Sequence, residues 1–338
     1  MTTAFSPLWA ATARVLSTGG SILCYHSLTT PESPSAGVVN LPLAEFENHV
    51  ALVRDLSRIV PLREILERVK GSRTTAGLTA ITFDDAYSSL LLAREFLDSA
   101  SVPITVFVVT DAARAGSAYW WDRVDDLFAH TDRPRWDAFE ERLDLPRAFR
   151  DGQPKALGPL RPLRQWILAE FRGRWPVAFE PILRALEEEA GRRTLHRSMT
   201  FAEIELLARL PLVDFGVHTI SHAVLPLLAD DELRGEIAGC HDELRERALR
   251  TLPVLAIPFG ICDDRTLRIA HDAGMSISMT VGGRTLGRFP GRALPRFTIT
   301  NRERAWKLRL RVTGVADRLR SLRGEPRDAF PELPSPTS

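Results

Sequence analysis

Apolar positions along this chain follow two rhythms. Short, almost continuous apolar runs stand at 21–26 (SILCYH), 78–83 (LTAITF) and 103–109 (PITVFVV). They resume later as LVDFGVH, VLAIPF, SISMTV and RFTIT. Runs of this length, apolar on both faces, predict strands of a buried parallel sheet. Between them the spacing turns helical. In LPLAEFENHVALVRDL, Leu43, Phe46, Val50 and Val53 share one face. Residues 87–99, 230–249 and 263–273 also read as helices. Strand and helix alternating in this way predict an α/β fold.

The rhythm breaks between 116 and 197. Strand-like runs vanish, and Arg, Glu, Leu and Trp dominate, with helical stretches such as WWDRVDDLFAH and PILRALEEEA. A mostly helical insertion is expected there. The resulting division is a lead-in over 1–20, an α/β unit over 21–301 holding the 116–197 insertion, a basic amphipathic helix over 302–323 and a tail over 324–338. The tail ends in ELPSPTS, polar and Pro-rich, and is expected to be disordered. The 302–323 helix is read as packed and solvated rather than as a peripheral membrane anchor.

Composition narrows the function without naming it. The 338 residues have an ordinary apolar share, enough for a sizeable core. Lys and Arg number 44 against 43 Asp and Glu, so no global field favours nucleic acid. Cys24, Cys240 and Cys262 form no CxxC pair and read as reduced thiols. The first twenty residues lack a basic start followed by an apolar stretch, so neither a signal peptide nor a spanning helix is expected, and the expected location is the cytoplasm.

Candidate chemistry gathers where strands end, which is where parallel α/β folds place their sites. His26 follows the first strand, Asp84-Asp85 the second, His218 the DFGV run and Pro258-Phe259-Gly260 the VLA run. His218 and His222 stand four apart in VDFGVHTISHAVL. A helical zinc-protease HExxH is ruled out, because Thr219 replaces the Glu and a strand precedes it. Two imidazoles suit a divalent ion such as zinc but need a third ligand, and Asp85 is the candidate. Otherwise His218 caps a loop and His222 lies on the surface. Two adjacent carboxylates repel, and a nearby cation relieves that. One can hold the ion while the other takes a proton from water on it. The bland alternative for the pair is a helix N-cap.

The ordered set TFDD, HTISH and PFG resembles the NodB-type polysaccharide deacetylases, carbohydrate esterase family 4, from about residue 21 to 299 with the insertion between. That resemblance implies a distorted (β/α) barrel with fewer than eight regular strands. It implies Asp84 as general base, a metal held by Asp85, His218 and His222, and metal-bound water as nucleophile on an N-acetyl carbonyl. Backbone at Phe259 and Gly260, with Tyr87, would lie on the oxyanion and substrate side. The metal is expected to be Zn2+, with Mn2+, Co2+ or Ni2+ as alternatives. The partner implied is an N-acetylated sugar, oligosaccharide or glycan precursor.

Three departures matter. The Gly that usually follows the Asp pair is Ala86, and the Arg usually two residues before the motif Pro is Ala256. No His follows His271, so the usual late acid is missing. LCYHSL and LPRFTI are similar to a branch that modifies exopolysaccharides and carries its acid in an N-terminal YH. On that likeness His26 becomes the acid and Arg296 replaces the lost Arg. His26 is otherwise a hydrogen-bonded residue at a strand end.

Trp120 and Trp121 read as core packing, and Asp263-Asp264 as a helix cap. His49, His130, His196, His241 and His271 are assigned no chemistry. Three functions remain in competition: a metal-dependent sugar N-deacetylase, a C–N hydrolase of the same fold acting on a small non-sugar molecule, and a non-catalytic glycan-binding homologue. Ala86 and Ala256 favour the last, and the intact Asp, Asp, His, His set favours the first two.

Overall fold

Seven parallel strands close on themselves in the computed structural model. It describes residues 19–31, 37, 39–144, 160–191, 194–247, 249–286, 293–315 and 317. In chain order the strands are β1 (Ser21–Tyr25), β2 (Leu78–Phe83), β3 (Ile104–Val108), β4 (Val213–Val217), β5 (Thr251–Ala256), β6 (Ile277–Val281) and β7 (Ala293–Thr298). Each pairs in parallel with the next, and β1 bonds both β2 and β7, which closes the barrel. All seven apolar runs of the sequence are therefore strands, and the expected distorted (β/α) barrel with a helical insertion is the observed fold. The short strand Arg58–Ile59 adds to the start of β2, and Leu28–Thr29 pairs with Leu41–Pro42 apart from the barrel.

The strands are buried on both faces, which is why their sequences are continuous rather than alternating. One face fills the barrel with Ile22, Ala80, Phe107, Val254, Ala256, Met279 and Leu294. The other packs on helices, among them α1 (Leu43–Leu56), whose Phe46, Val50 and Val53 are buried as their spacing predicts. Gly216 in β4 is a packing requirement, since a Cβ there would lie 2.3 Å from the Phe107 ring.

Two helices differ from expectation. Residues 87–99 begin as a 3-10 turn, Ser88–Ala93, before the α-helix Arg94–Ser99. The basic segment forms the helix Ala305–Val312; Thr313 and Gly314, with φ +71°, turn the chain there as helix C-termini commonly do, and residues 315 and 317 are again helical. Beyond that end only residues up to 315 and residue 317 are described, so the expected tail, like residues 1–18, lies outside the described residues. Among the described residues no helix is long and apolar enough to cross a membrane.

The 116–197 segment is helical in its described part and has its own core. Leu127, Trp136, Phe139, Leu163, Ile167 and Leu183 pack together within it. Its backbone meets the barrel at Val224, whose N–H donates to the Arg172 carbonyl at 2.8 Å.

Candidate active site

The C-terminal ends of β1, β2, β4 and β7 bring the predicted residues together. Asp84 leaves β2 pointing into the barrel, where Arg296 of β7 meets it. Arg296 Nη1 donates to Asp84 Oδ1 at 2.6 Å and Nη2 to Oδ2 at 2.7 Å. The guanidinium is 0% exposed and the carboxylate side chain 4%. A two-pronged fork of this kind fixes a carboxylate in orientation as well as charge. Burial works against the Asp84 charge, but Arg296 outweighs it and holds the carboxyl well below its usual range. Ala256, where an Arg was missed, faces the same barrel interior. The guanidinium is thus supplied two strands further round. Cys24 Sγ also lies 3.3 Å from Asp84 Oδ2, a thiol contact that the sequence reading did not foresee.

Asp85 turns the other way and faces two imidazoles. His218 Nε2 and His222 Nε2 each lie 3.3 Å from Asp85 Oδ1. Zinc bonds of about 2.1 Å at tetrahedral angles separate neighbouring ligand atoms by about 3.4 Å, so this spacing suits one ion. Asp85 Oδ1 is buried and has no hydrogen-bond partner, an orphan that a cation would satisfy. His218 Nδ1 lies 2.8 Å from the Ala256 carbonyl, the orienting contact usual behind a metal-binding His. Burial pushes the His222 imidazole down to about 3, towards the neutral form that ligates. The donor set therefore fits a divalent ion.

The backbone here is unusual. Asp85, Ala86, Thr219, His222 and Phe259 all have φ between +48° and +69°. Non-glycine residues rarely adopt this region, and such strain concentrates at functional sites. At Ala86 it explains the Gly expected from the family pattern: the position needs a left-handed turn, and Ala takes it at some cost. Gly260, at φ +72°, has no such freedom, because a Cβ would sit 2.2 Å from Val281 Cγ2.

His26 stands beside this pair of carboxylates. One ligand atom each of Cys24, His26 and Asp84 lie within 4.8 Å of one another. Burial lowers the His26 pKa against the pull of Asp85 and Asp84, and its Nδ1 is buried without a partner. Phe259 packs its ring 4.5 Å from that of His222. The Gly260 N–H is taken by the Ile257 carbonyl at 3.0 Å. The Tyr87 hydroxyl donates to Asp122 at 2.5 Å and accepts from Trp121 Nε1 at 3.0 Å. Its side chain braces the insertion.

Trp120 is buried as expected, but Trp121 borders the site, with its ring 4.8 Å from His222. Tyr119 donates to the Asp85 carbonyl at 2.7 Å. Neither contact was foreseen, although the aromatic run YWW at the start of the insertion was a signal. A brace from the insertion was also missed. Arg174 Nε donates to Ser221 Oγ at 2.8 Å, and its Nη atoms donate to Glu232 and Glu236 at 2.7 Å. Glu236 Oε2 accepts the N–H groups of Ile220 and Ser221 at 2.9 and 2.8 Å. The loop carrying His222 is thus held from two sides. Asp263 caps its helix as predicted, accepting from the Thr266 N–H at 2.7 Å.

Residues 181–278 match the family model described as polysaccharide deacetylase, a span that includes both histidines and the PFG turn. None of the curated proteins matches the chain. Among solved structures, the fold is similar to the deacetylase PplD of Streptococcus pyogenes, determined in complex with acetate, at 15% identity and TM-score 0.57, covering 88% of this chain and 99% of that one. It is similar to IcaB from Ammonifex degensii at 17% identity and TM-score 0.56, covering 87% and 97%. A polysaccharide deacetylase from Bacillus cereus gives 12% identity and TM-score 0.54, covering 86% and 68%.

Proposed function

We propose, from the premise that this chain is a polysaccharide deacetylase as its family match indicates, that it hydrolyses the N-acetyl amide of an amino sugar in a glycan or glycan precursor. The products are acetate and a free sugar amine. One observation carries the reading: a buried Asp85, His218 and His222 set with metal-ligand spacing, beside an ionised Asp84 clamped by Arg296. Asp85, His218 and His222 would hold a divalent ion, zinc by the match of donors and spacing, and such an ion supplies Lewis acidity for polarising an amide carbonyl and activating water.

The chain's own groups then divide the proton work. Asp84 is kept ionised by Arg296, and an ionised carboxylate is the form that accepts a proton from the attacking water. Burial pulls the His26 imidazole below its usual range, which favours its neutral form. It therefore gains its proton within the cycle, from Asp84 close by, and gives it to the departing nitrogen. Proton count balances: water supplies hydroxide to the acyl carbon and a proton to the amine. In this reading backbone at Phe259 faces the developing oxyanion, which the position of the Phe259 ring against His222 supports, and Trp121 and Tyr119 wall the site from the insertion side. Ala86 reaches the left-handed turn and Arg296 replaces the guanidinium, so neither departure from the family pattern favours a non-catalytic role.

Mass-spectrometric detection of acetate across N-acetylated monosaccharides, oligosaccharides and lipid- or nucleotide-linked sugars, with and without added metal, tests the proposal. Metal-dependent acetate from at least one class is expected. No acetate from any sugar, with release from a small non-sugar amide instead, would move the chain to the C–N hydrolase reading.

A further inference from the structure

The two histidines of the site are aimed in different ways. Behind His218, the Ala256 carbonyl lies 2.8 Å from Nδ1 and fixes the ring. Behind His222, Nδ1 is buried and has no hydrogen-bond partner. A metal-binding imidazole almost always has such a partner to set its orientation. His222 is therefore aimed by its backbone and by the rings packed on it. That backbone is itself unfavourable, with φ +57° at His222 and +69° at Thr219. A turn of this kind persists only where its surroundings fix it.

The fixing contacts converge on the residues flanking His222. Glu236, on the helix Asp230–Glu246, is 6% exposed, and both of its oxygens are engaged. Oε2 accepts the Ile220 and Ser221 N–H groups, and Oε1 accepts the Ser221 hydroxyl at 2.6 Å and Arg174 Nη2 at 2.7 Å. Arg174 Nε donates to the same hydroxyl oxygen. On the far side of His222, the Val224 N–H donates to the Arg172 carbonyl. Arg172, Gly173 and Arg174 form one turn of the insertion, with φ +56° and +80° at the first two. Gly173 lets that turn come close: a Cβ there would lie 2.9 Å from the Phe259 ring and 3.1 Å from Val224 Cγ2. Phe259 in turn packs on the His222 ring, as does Trp121 of the insertion.

We propose that the 172–174 turn of the insertion sets the affinity of the barrel for its ion, with Arg174 as the positioning residue that aims His222 through Ser221 and Glu236. The inference rests on the function proposed above and adds a role for the insertion, which carries none of the three ligands. Glu236 alone holds Ile220 and Ser221 from one side. Arg174 holds both the Ser221 hydroxyl and Glu236 itself, so its loss loosens every contact just before His222.

The test measures zinc affinity by competition with a chromophoric chelator, and hydrogen exchange over residues 219–224 of the metal-free chain. Arg174→Met keeps most of the side-chain stem and removes the fork. It should weaken zinc binding about tenfold to a hundredfold and speed exchange over 219–224 but not over β4. Ser221→Ala, a smaller change that tests the same brace if Arg174→Met does not fold, should weaken zinc binding about fivefold. Arg123→Met is the control, because Arg123 pairs with Glu180 and Glu187 inside the insertion, away from the His222 loop. It should leave zinc affinity within about twofold of wild type. Wild-type affinity in both Arg174→Met and Ser221→Ala, unchanged exchange over 219–224, or an equal loss in Arg123→Met overturns the inference while the deacetylase reading stands. A wild type that binds no zinc overturns both.

Discussion

The barrel mouth and the helical insertion both rely on paired charges, yet the pairs do different things. At the mouth, Arg296 and Asp84 are sealed from water, and their two bonds fix the carboxylate proposed as the base. In the insertion, Arg123 bridges Glu180 and Glu187 with side chains 16%, 27% and 7% exposed, and the pairing neutralises a wall. Buried pairs stabilise weakly as such but are severe to break, whereas partly solvated ones give little either way. Chemistry at the mouth therefore depends on single residues. The insertion depends on its packed rings.

Asp84→Asn probes that contrast most strongly. It should lower kcat by about a hundredfold to ten-thousandfold, the range for a lost acid–base group, while the metal content stays that of the wild type. His26→Ala should cost about a hundredfold in kcat with fold and metal retained. The double variant should fall far short of the product of the two losses, because both residues serve one proton path. Near-normal kcat in His26→Ala would make the N-terminal YH a strand end and nothing more.

Stability measurements separate the two regions further. Arg296→Met leaves Asp84 buried and unpaired and should cost about 3–5 kcal/mol by urea unfolding. Arg123→Met should cost less, about 1–2 kcal/mol, since the Glu180 side of that network is 27% exposed. Equal losses would erase the distinction. The smallest effect is expected at Ala86→Gly. It relieves a left-handed Ala but adds unfolded-chain freedom, two opposing contributions of about 1 kcal/mol each. Its kcat should stay within about twofold of wild type.

This difference between regions also decides what the sequence revealed. All seven barrel strands were legible because burial on both faces leaves continuous apolar runs. Asp84, Asp85 and His218 were legible because they close such runs, and His222 because it stands four residues after His218. Arg296 was reachable only through a family likeness, since nothing local in LPRFTI says that its guanidinium turns into the barrel. Cys24, Tyr119, Trp121 and the Arg174 brace act through contacts between residues 34 to 101 positions apart, distances over which periodicity carries no information. The basic helix is interrupted at Thr313 and Gly314, where Gly314 takes φ +71°, a break that spacing alone did not reveal.

Elemental analysis of the purified wild type and of His222→Ala tests the central claim most directly. The account predicts about one divalent ion per chain in the wild type and little in the variant, with the fold intact by circular dichroism. An ion content undiminished by loss of His222 would contradict it.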